Sequence, residues 1–187
     1  WKRSVDAVYD AAMGDAIATR SGLTNVTALS DIKKCFERVN HQRVIDKSAL
    51  VDFPMRILAV CLAMYRAARC IVVDTACAGV VVTNNGIGAG CTMATYILRA
   101  TLASDLLWYV GNALVESSRF VYRFSIYVDD LVLQVATICF RMAGFRAAMV
   151  TVQLIKLFND TIELPLAKDK FQLTASDDTA ADIAMAA

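Results

Sequence analysis

Phe124-Ser125-Ile126-Tyr127-Val128-Asp129-Asp130-Leu131-Val132-Leu133-Gln134 sets two adjacent aspartates between two runs of β-forming residues. Upstream, residues 120–128 alternate. Phe120, Tyr122, Phe124, Ile126 and Val128 fall on one side, with Arg123 and Ser125 on the other, the period of two that a strand imposes. Downstream, residues 131–135 read as a second strand. The stretch therefore predicts a hairpin whose two-residue connection, the commonest kind, is Asp129-Asp130. Two carboxylates side by side repel each other, and a divalent cation is the usual means of offsetting that. Taken alone, the stretch reads equally well as an acidic surface turn.

The 187 residues are enough for one domain with a sizeable core, and 57% apolar against 20% charged residues excludes a disordered chain. Arg56 and Arg66 bracket the longest early apolar run, 57–65, and no run approaches the roughly 18 residues of a membrane span. No membrane partner is expected. The first residues, Trp1-Lys2-Arg3, show no signal-peptide pattern and no initial Met, so a piece of a longer intracellular protein, nuclear or cytoplasmic, is expected. Six cysteines (35, 61, 70, 77, 91 and 139) without a C-x-x-C spacing, and a single histidine, His41, argue against zinc. Most lie in apolar runs, which predicts buried free thiols in a reducing compartment. Net charge is +1, but residues 33–69 carry eight Lys/Arg against three acids, a stretch that reads as a phosphate-tracking surface or as a solvated helix face.

Along the chain, residues 1–18 have helical spacing, with Gly14 a soft spot and Gly22 a turn. Residues 23–32 form a strand candidate ending at Asp31, and 41–50 a short helix. Pro54 opens a second helix reaching about residue 67. Strand candidates follow at 70–74 and 79–83, then a loop at 84–90, a long helix from 91 to about 115, the hairpin, and a helix over 138–162. An extended piece runs from 164 to about 173, and the Ala/Asp-rich residues 174–187 are expected to fray. Helices alternating with a small sheet that contains a hairpin give an α+β fold.

A third acid, Asp31, ends a predicted strand. A lone strand-end aspartate is usually a cap. One such residue beside a hairpin tip bearing two more can hold two Mg²⁺ ions, about 3.5–4 Å apart, that activate a 3′-hydroxyl and stabilise leaving pyrophosphate.

Four segments in order then resemble the palm of a reverse transcriptase of the non-LTR retroelement and group II intron kind, over residues 23–173. Asp31-Ile32-Lys33-Lys34-Cys35-Phe36 is similar to the first palm motif and is followed by a helix opening with Asn40-His41. Gly86-Ile87-Gly88-Ala89-Gly90-Cys91 resembles the loop that positions template and nucleotide. Tyr127-Val128-Asp129-Asp130 matches the Tyr-x-Asp-Asp signature, and Leu164-Pro165-Leu166-Ala167-Lys168-Asp169-Lys170-Phe171 resembles the lysine-bearing motif. A narrower likeness is to retroelement enzymes of protists such as dinoflagellates.

The resemblance implies a polymerase palm with a small antiparallel sheet packed on long helices. Residues 1–22 would be the end of the fingers or a connecting helix, 23–174 the palm and 175–187 a tail, with the thumb absent. It implies RNA-directed DNA polymerase activity, with two Mg²⁺ ions (or Mn²⁺) on Asp31, Asp129, Asp130 and the carbonyl of Ile32. Phe36 would be the aromatic gate that excludes a 2′-hydroxyl. Gly86, Gly88, Ala89 and Gly90 would lie close to base or phosphate, and Tyr127 and Val128 would line the hairpin, Val128 near the nascent pair. Lys168 or Lys170 would serve pyrophosphate as acid or counter-charge. Two lysines at i and i+2 of a strand share a face, so spacing does not choose between them. The implied partners are an RNA template, a DNA primer, deoxynucleoside triphosphates, and fingers and thumb from the same polyprotein.

The family's loop usually carries Pro-Gln where Gly88-Ala89 stand, and the lost amide removes one donor-acceptor group, so different template contacts are expected. The isolated chain is expected to polymerise weakly or not at all. Two alternatives are a viral RNA-directed RNA polymerase palm, disfavoured by Tyr127-Val128 before the acids and by Phe36 after Asp31, and a non-catalytic decayed or domesticated fragment, disfavoured by the survival of all three acids.

Overall fold

In the computed structural model the described residues are 4–70, 72–77, 79–114 and 119–186, with the backbone alone described for 4–8. Their contacts divide the chain into two compact units, residues 1–33 with 105–187, and residues 34–104. The fold is α+β, with seven α-helices and a small antiparallel sheet among the described residues.

The first unit is built on four strands, β1 (Thr24–Asp31), β4 (Val121–Tyr127), β5 (Asp130–Thr137) and β6 (Gln172–Ala175), in the order β4-β5-β1-β6, all neighbours antiparallel. Alternation along β5 puts Leu131, Leu133 and Val135 on one face, each at most 2% exposed, the side on which α6 (Phe140–Lys156) packs. The C-terminal part of α5 (Ala94–Ala113) adds Tyr109, whose hydroxyl donates to the Val150 carbonyl at 2.8 Å and whose ring meets Phe124 edge-on.

The opposite face is polar. There α1 (Ser4–Arg20) supplies Asp15, whose Oδ1 accepts from Gln134 Nε2 at 2.9 Å, from Thr27 Oγ1 at 3.2 Å and from Asn25 Nδ2, while Gln134 also donates to the Ala11 carbonyl at 3.0 Å. Partnered in this way, buried amides and hydroxyls are tolerated in a core. Gly14 is here a point of close approach and not a soft spot, because a Cβ would lie 2.6 Å from Gln134 Oε1 and 2.9 Å from an Arg123 nitrogen.

Where fraying is expected, the described residues form a helix. Residues Asp178–Ala186 form α7, capped by Asp177, whose Oδ1 accepts from the Ala180 amide at 3.0 Å. It packs on α6 so closely that a Cβ at Gly144 would sit 2.5 Å from the Ala180 carbonyl. Small residues on both helices permit this, and Ala143 and Ala180 are fully buried. Two further expectations shift. The second long helix ends at Lys156 and continues as a wide turn over Leu157–Thr161. The extended piece at 164–173 contains a tight turn at Lys168–Lys170 before β6.

The second unit holds α2 (Cys35–Arg38), α3 (His41–Leu50) and α4 (Met55–Arg66). Asn40 caps α3, its Oδ1 accepting from the amides of Gln42 at 2.8 Å and Arg43 at 3.1 Å. In place of the two strands expected at 70–74 and 79–83 there is a two-residue hairpin, β2 (Val72–Val73) with β3 (Ala76–Cys77), because Asp74 takes a positive φ of 53° and turns the chain early. Residues 91–93 form turns, so α5 starts three residues later than expected, and its expected end at Val115 lies outside the described residues. None of the six cysteines forms a disulfide, but only Cys35 and Cys61 are buried, since the apolar runs holding Cys70, Cys77 and Cys139 lie at the surface. Among the described residues no helix is long and apolar enough to cross a membrane.

Candidate active site

The central pairing of the sheet brings the three acids together. β1 and β5 run antiparallel in a register that sets Asp31 opposite Asp130 as their last pair. The turn of the hairpin then has to form one residue earlier than the sequence predicts. Tyr127 pairs with Asp130, and the two-residue connection is Val128-Asp129. Val128 takes a φ of +58°, a conformation that costs a β-branched residue about 1–3 kcal/mol and persists only where its surroundings enforce it. Here the enforcement is visible, because the Asp129 carbonyl accepts from the Ile32 amide at 3.0 Å and locks the turn onto the strand end. Ile32 itself is buried at 1% exposure.

One oxygen from each of Asp31, Asp129 and Asp130 lies within 4.8 Å of the others. At that separation each pair of charges repels by roughly 1–3 kcal/mol, from a water-like to a near-surface dielectric. Burial first, then the charges of Asp31 and Asp130, push the Asp129 carboxyl above its ordinary range. Burial and Asp31 do the same to Asp130, with Lys170 pulling the other way. The donor set is all carboxylate, which suits a hard divalent cation and gives a soft one no sulfur or imidazole.

The two lysines that spacing leaves equivalent differ in position. Lys168 and Lys170 stand on a single 3₁₀ turn and not on a strand, and Lys170 Nζ donates to Asp31 Oδ2 as an ion pair. Asp31, by bond and charge, raises the Lys170 ammonium above its ordinary value. Both sides of this turn are tied to β1, through Ala167 N to the Asp31 carbonyl (2.7 Å), Lys33 N to the Pro165 carbonyl (2.9 Å) and the pairing of Gln172 with Leu29. A cleft of about 700 Å³ opens over the acids, lined by Tyr127 and Lys170 but not by Lys168, and it extends along the polar face past Ser125 and Val132 to Gln172.

The other predicted residues lie in the second unit. Phe36, half-buried on α2, gives its carbonyl to the Ile87 amide at 2.7 Å. Gly86 and Gly90 have φ of +90° and +86°, where glycine alone is unstrained. Two of the glycines have packing reasons, since a Cβ at Gly86 would meet the Glu37 carbonyl at 3.2 Å and one at Gly88 would meet the Tyr65 ring at 3.1 Å. Ala89 is exposed.

Sequence reading missed how this loop is held. The Gly86 amide donates to the Val39 carbonyl at 2.8 Å, and the Gly86 carbonyl accepts from Nε2 of the fully buried His41 at 2.6 Å. Arg66 Nε donates to His41 Nδ1 at 3.2 Å, so the imidazole is the neutral tautomer with its proton on Nε2. The only advance signal was a single histidine beside a helix-capping asparagine.

No protein-family profile matches the chain, and no curated protein sequence matches it. Solved structures do. The chain is similar to apo telomerase of Candida tropicalis truncated from its C-terminal domain, with a TM-score of 0.66 and 13% identity over 94% of this chain and 36% of that one. Telomerase of Candida tropicalis with a fragment of telomeric RNA gives 0.67 and 13% over 94% and 30%, and that of Candida albicans with such a fragment gives 0.59 and 15% over 92% and 30%. At this identity the likeness is one of fold. The chain shares its fold with part of these telomerases and spans about a third of the length of the telomerase chains it matches.

Proposed function

We propose that this chain is the palm of an RNA-directed DNA polymerase of retroelement type, working inside the cell, in nucleus or cytoplasm. The observation that carries the reading is the convergence of Asp31, Asp129 and Asp130 within 4.8 Å on neighbouring strand ends of a fold shared with telomerase. Asp31 and Asp129, with Asp130 and the carbonyl of Ile32, would hold two Mg²⁺ ions, with Mn²⁺ as a substitute. When bound, these activate the primer 3′-hydroxyl and stabilise the leaving pyrophosphate. Lys170, on its turn beside the acids, is the better placed of the two lysines to meet a phosphate. Tyr127 and Val128 would face the nascent pair, Phe36 would exclude ribonucleotides, and Gly86, Gly88, Ala89 and Gly90 would contact template or nucleotide. Two of the telomerase structures of similar fold contain a fragment of telomeric RNA, which supports an RNA template for this chain. A DNA primer, deoxynucleoside triphosphates, and fingers and thumb of the same polyprotein complete the proposal.

The test is addition of a single deoxynucleotide to an RNA-templated DNA primer, at high protein concentration with Mg²⁺. Asp129→Asn should reduce it by at least about a hundredfold and abolish the rise in melting temperature that Mg²⁺ gives the parent protein. Phe36→Ala should admit ribonucleotides. A chain that neither binds Mg²⁺ nor extends the primer would sink this reading.

A further inference from the structure

One of the three acids, Asp31, is paired with a cation that the chain supplies itself. Lys170 Nζ sits on Asp31 Oδ2, one of the oxygens that a divalent ion would use. The lysine side chain is 63% exposed, while that of Asp31 is 12% exposed. The lysine can therefore leave without opening any packing, whereas the aspartate cannot follow it. The backbone beneath it cannot follow either, since Ala167 is bonded to the Asp31 carbonyl and Gln172 pairs with Leu29, so any movement belongs to the side chain alone.

We propose that Lys170 is a built-in stand-in for the divalent cation, which neutralises Asp31 while the site is metal-free and is displaced from it when a cation enters. The proposal rests on the polymerase reading above. One ammonium against three carboxylates leaves two negative charges, enough to draw in one divalent ion, and that ion cannot share Asp31 Oδ2 with an ammonium without strong repulsion. Once displaced, Lys170 presents three donors and a positive charge from a turn at the edge of the cleft, which suits a phosphate oxygen. The consequence is an order of events. The lysine becomes available to an anionic substrate only after the cation has arrived, so the site does not hold a triphosphate productively without metal. Lys168, on the same turn but outside the cleft, has no part in this exchange.

Two measurements on the intact chain test it. Mn²⁺ binding is titrated by paramagnetic resonance for the parent, Lys170→Met, Lys170→Gln and Lys168→Met, each checked for folding by circular dichroism. Removing the competing ammonium should tighten Mn²⁺ binding about three- to tenfold in both Lys170 variants and less than about twofold in Lys168→Met. In the parent, acetylation of Lys170 by acetic anhydride, followed by peptide mass spectrometry, should quicken at least about threefold on saturation with Mg²⁺, while Lys168 is unchanged. Unaltered or weaker Mn²⁺ binding in the Lys170 variants, or unaltered acetylation of Lys170, overturns the exchange while the polymerase reading stands. If no protein in the set binds either cation, that reading falls and the exchange with it.

Discussion

The acidic tip at Val128-Asp129 and the glycine loop over residues 84–91 are both turns with left-handed backbone, and they are held in opposite ways. In the loop the left-handed positions are Gly86 and Gly90, and the buried carbonyl of Gly86 has a dedicated donor in His41. At the tip the left-handed residue is a valine, and three carboxylates face a single ammonium. The loop is complete as folded, with its conformational and polar demands met by neighbouring residues. The tip is stable in shape, because the β1–β5 register and the bond from Ile32 to Asp129 fix it, but it is electrostatically unfinished. A region completed by the protein loses stability when it is altered. A region left incomplete should gain stability on substitution and lose activity.

The largest effect on stability is expected in the loop. His41→Ala removes the donor to Gly86 and the acceptor for Arg66, and it leaves a cavity at a fully buried position. About 2–4 kcal/mol should be lost, read as a fall in the urea midpoint followed by Trp fluorescence. His41→Gln keeps one donor and one acceptor on a side chain of similar reach and should recover at least about half of the loss. A loss below about 1 kcal/mol in His41→Ala would show that the loop is not held in this way, and the contrast with the tip would collapse.

The tip should respond to pH in the opposite sense to an ordinary salt-bridged carboxylate. Both Asp129 and Asp130 are raised in the folded state, first by burial and then by the charge of Asp31, with Asp130 adding to the rise at Asp129, so the native protein binds more protons than the unfolded chain. The stabilisation is then fully present below the ordinary carboxylate pKa of about 4 and is lost as pH climbs through the raised folded values. Without metal, the parent should lose stability relative to Asp129→Asn as pH rises above the ordinary carboxylate pKa of about 4, and Mg²⁺ should reverse the loss. A difference between the two proteins that does not change with pH would mean that the acids do not feel one another.

The same contrast governs what the sequence makes legible. Residues with local rules were readable. The alternation of 120–128 predicts β4, Asn40 and Pro54 mark the starts of two helices, and Gly86 and Gly90 lie where only glycine is at ease. The convergence of Asp31 with Asp129 and Asp130 follows once their strands are neighbours. Features decided by distant partners were not readable. The hairpin connection slid from Asp129-Asp130 to Val128-Asp129 because Asp130 pairs with Asp31, far away in sequence. The Ala-rich end looked fit to fray because nothing local reveals that Gly144 leaves room for it. Lys168 and Lys170 were indistinguishable as strand residues, and only the 3₁₀ turn separates them.

Val128 gives the smallest effect and the sharpest form of the contrast. A positive φ at the first central residue of a two-residue connection is the pattern of a II′ turn, in which glycine is preferred. Val128→Gly should relieve about 1–2 kcal/mol of backbone strain and give back part of it through the greater freedom of glycine in the unfolded chain. The net gain expected is about 0.5–1 kcal/mol, or roughly 1–4 °C in melting temperature for a chain of this size. If the valine is kept for its contact with the nascent pair, the stabilised protein should extend a primer more slowly. A variant that is both less stable and equally active would show that the tip, like the glycine loop, already carries the residue its backbone prefers.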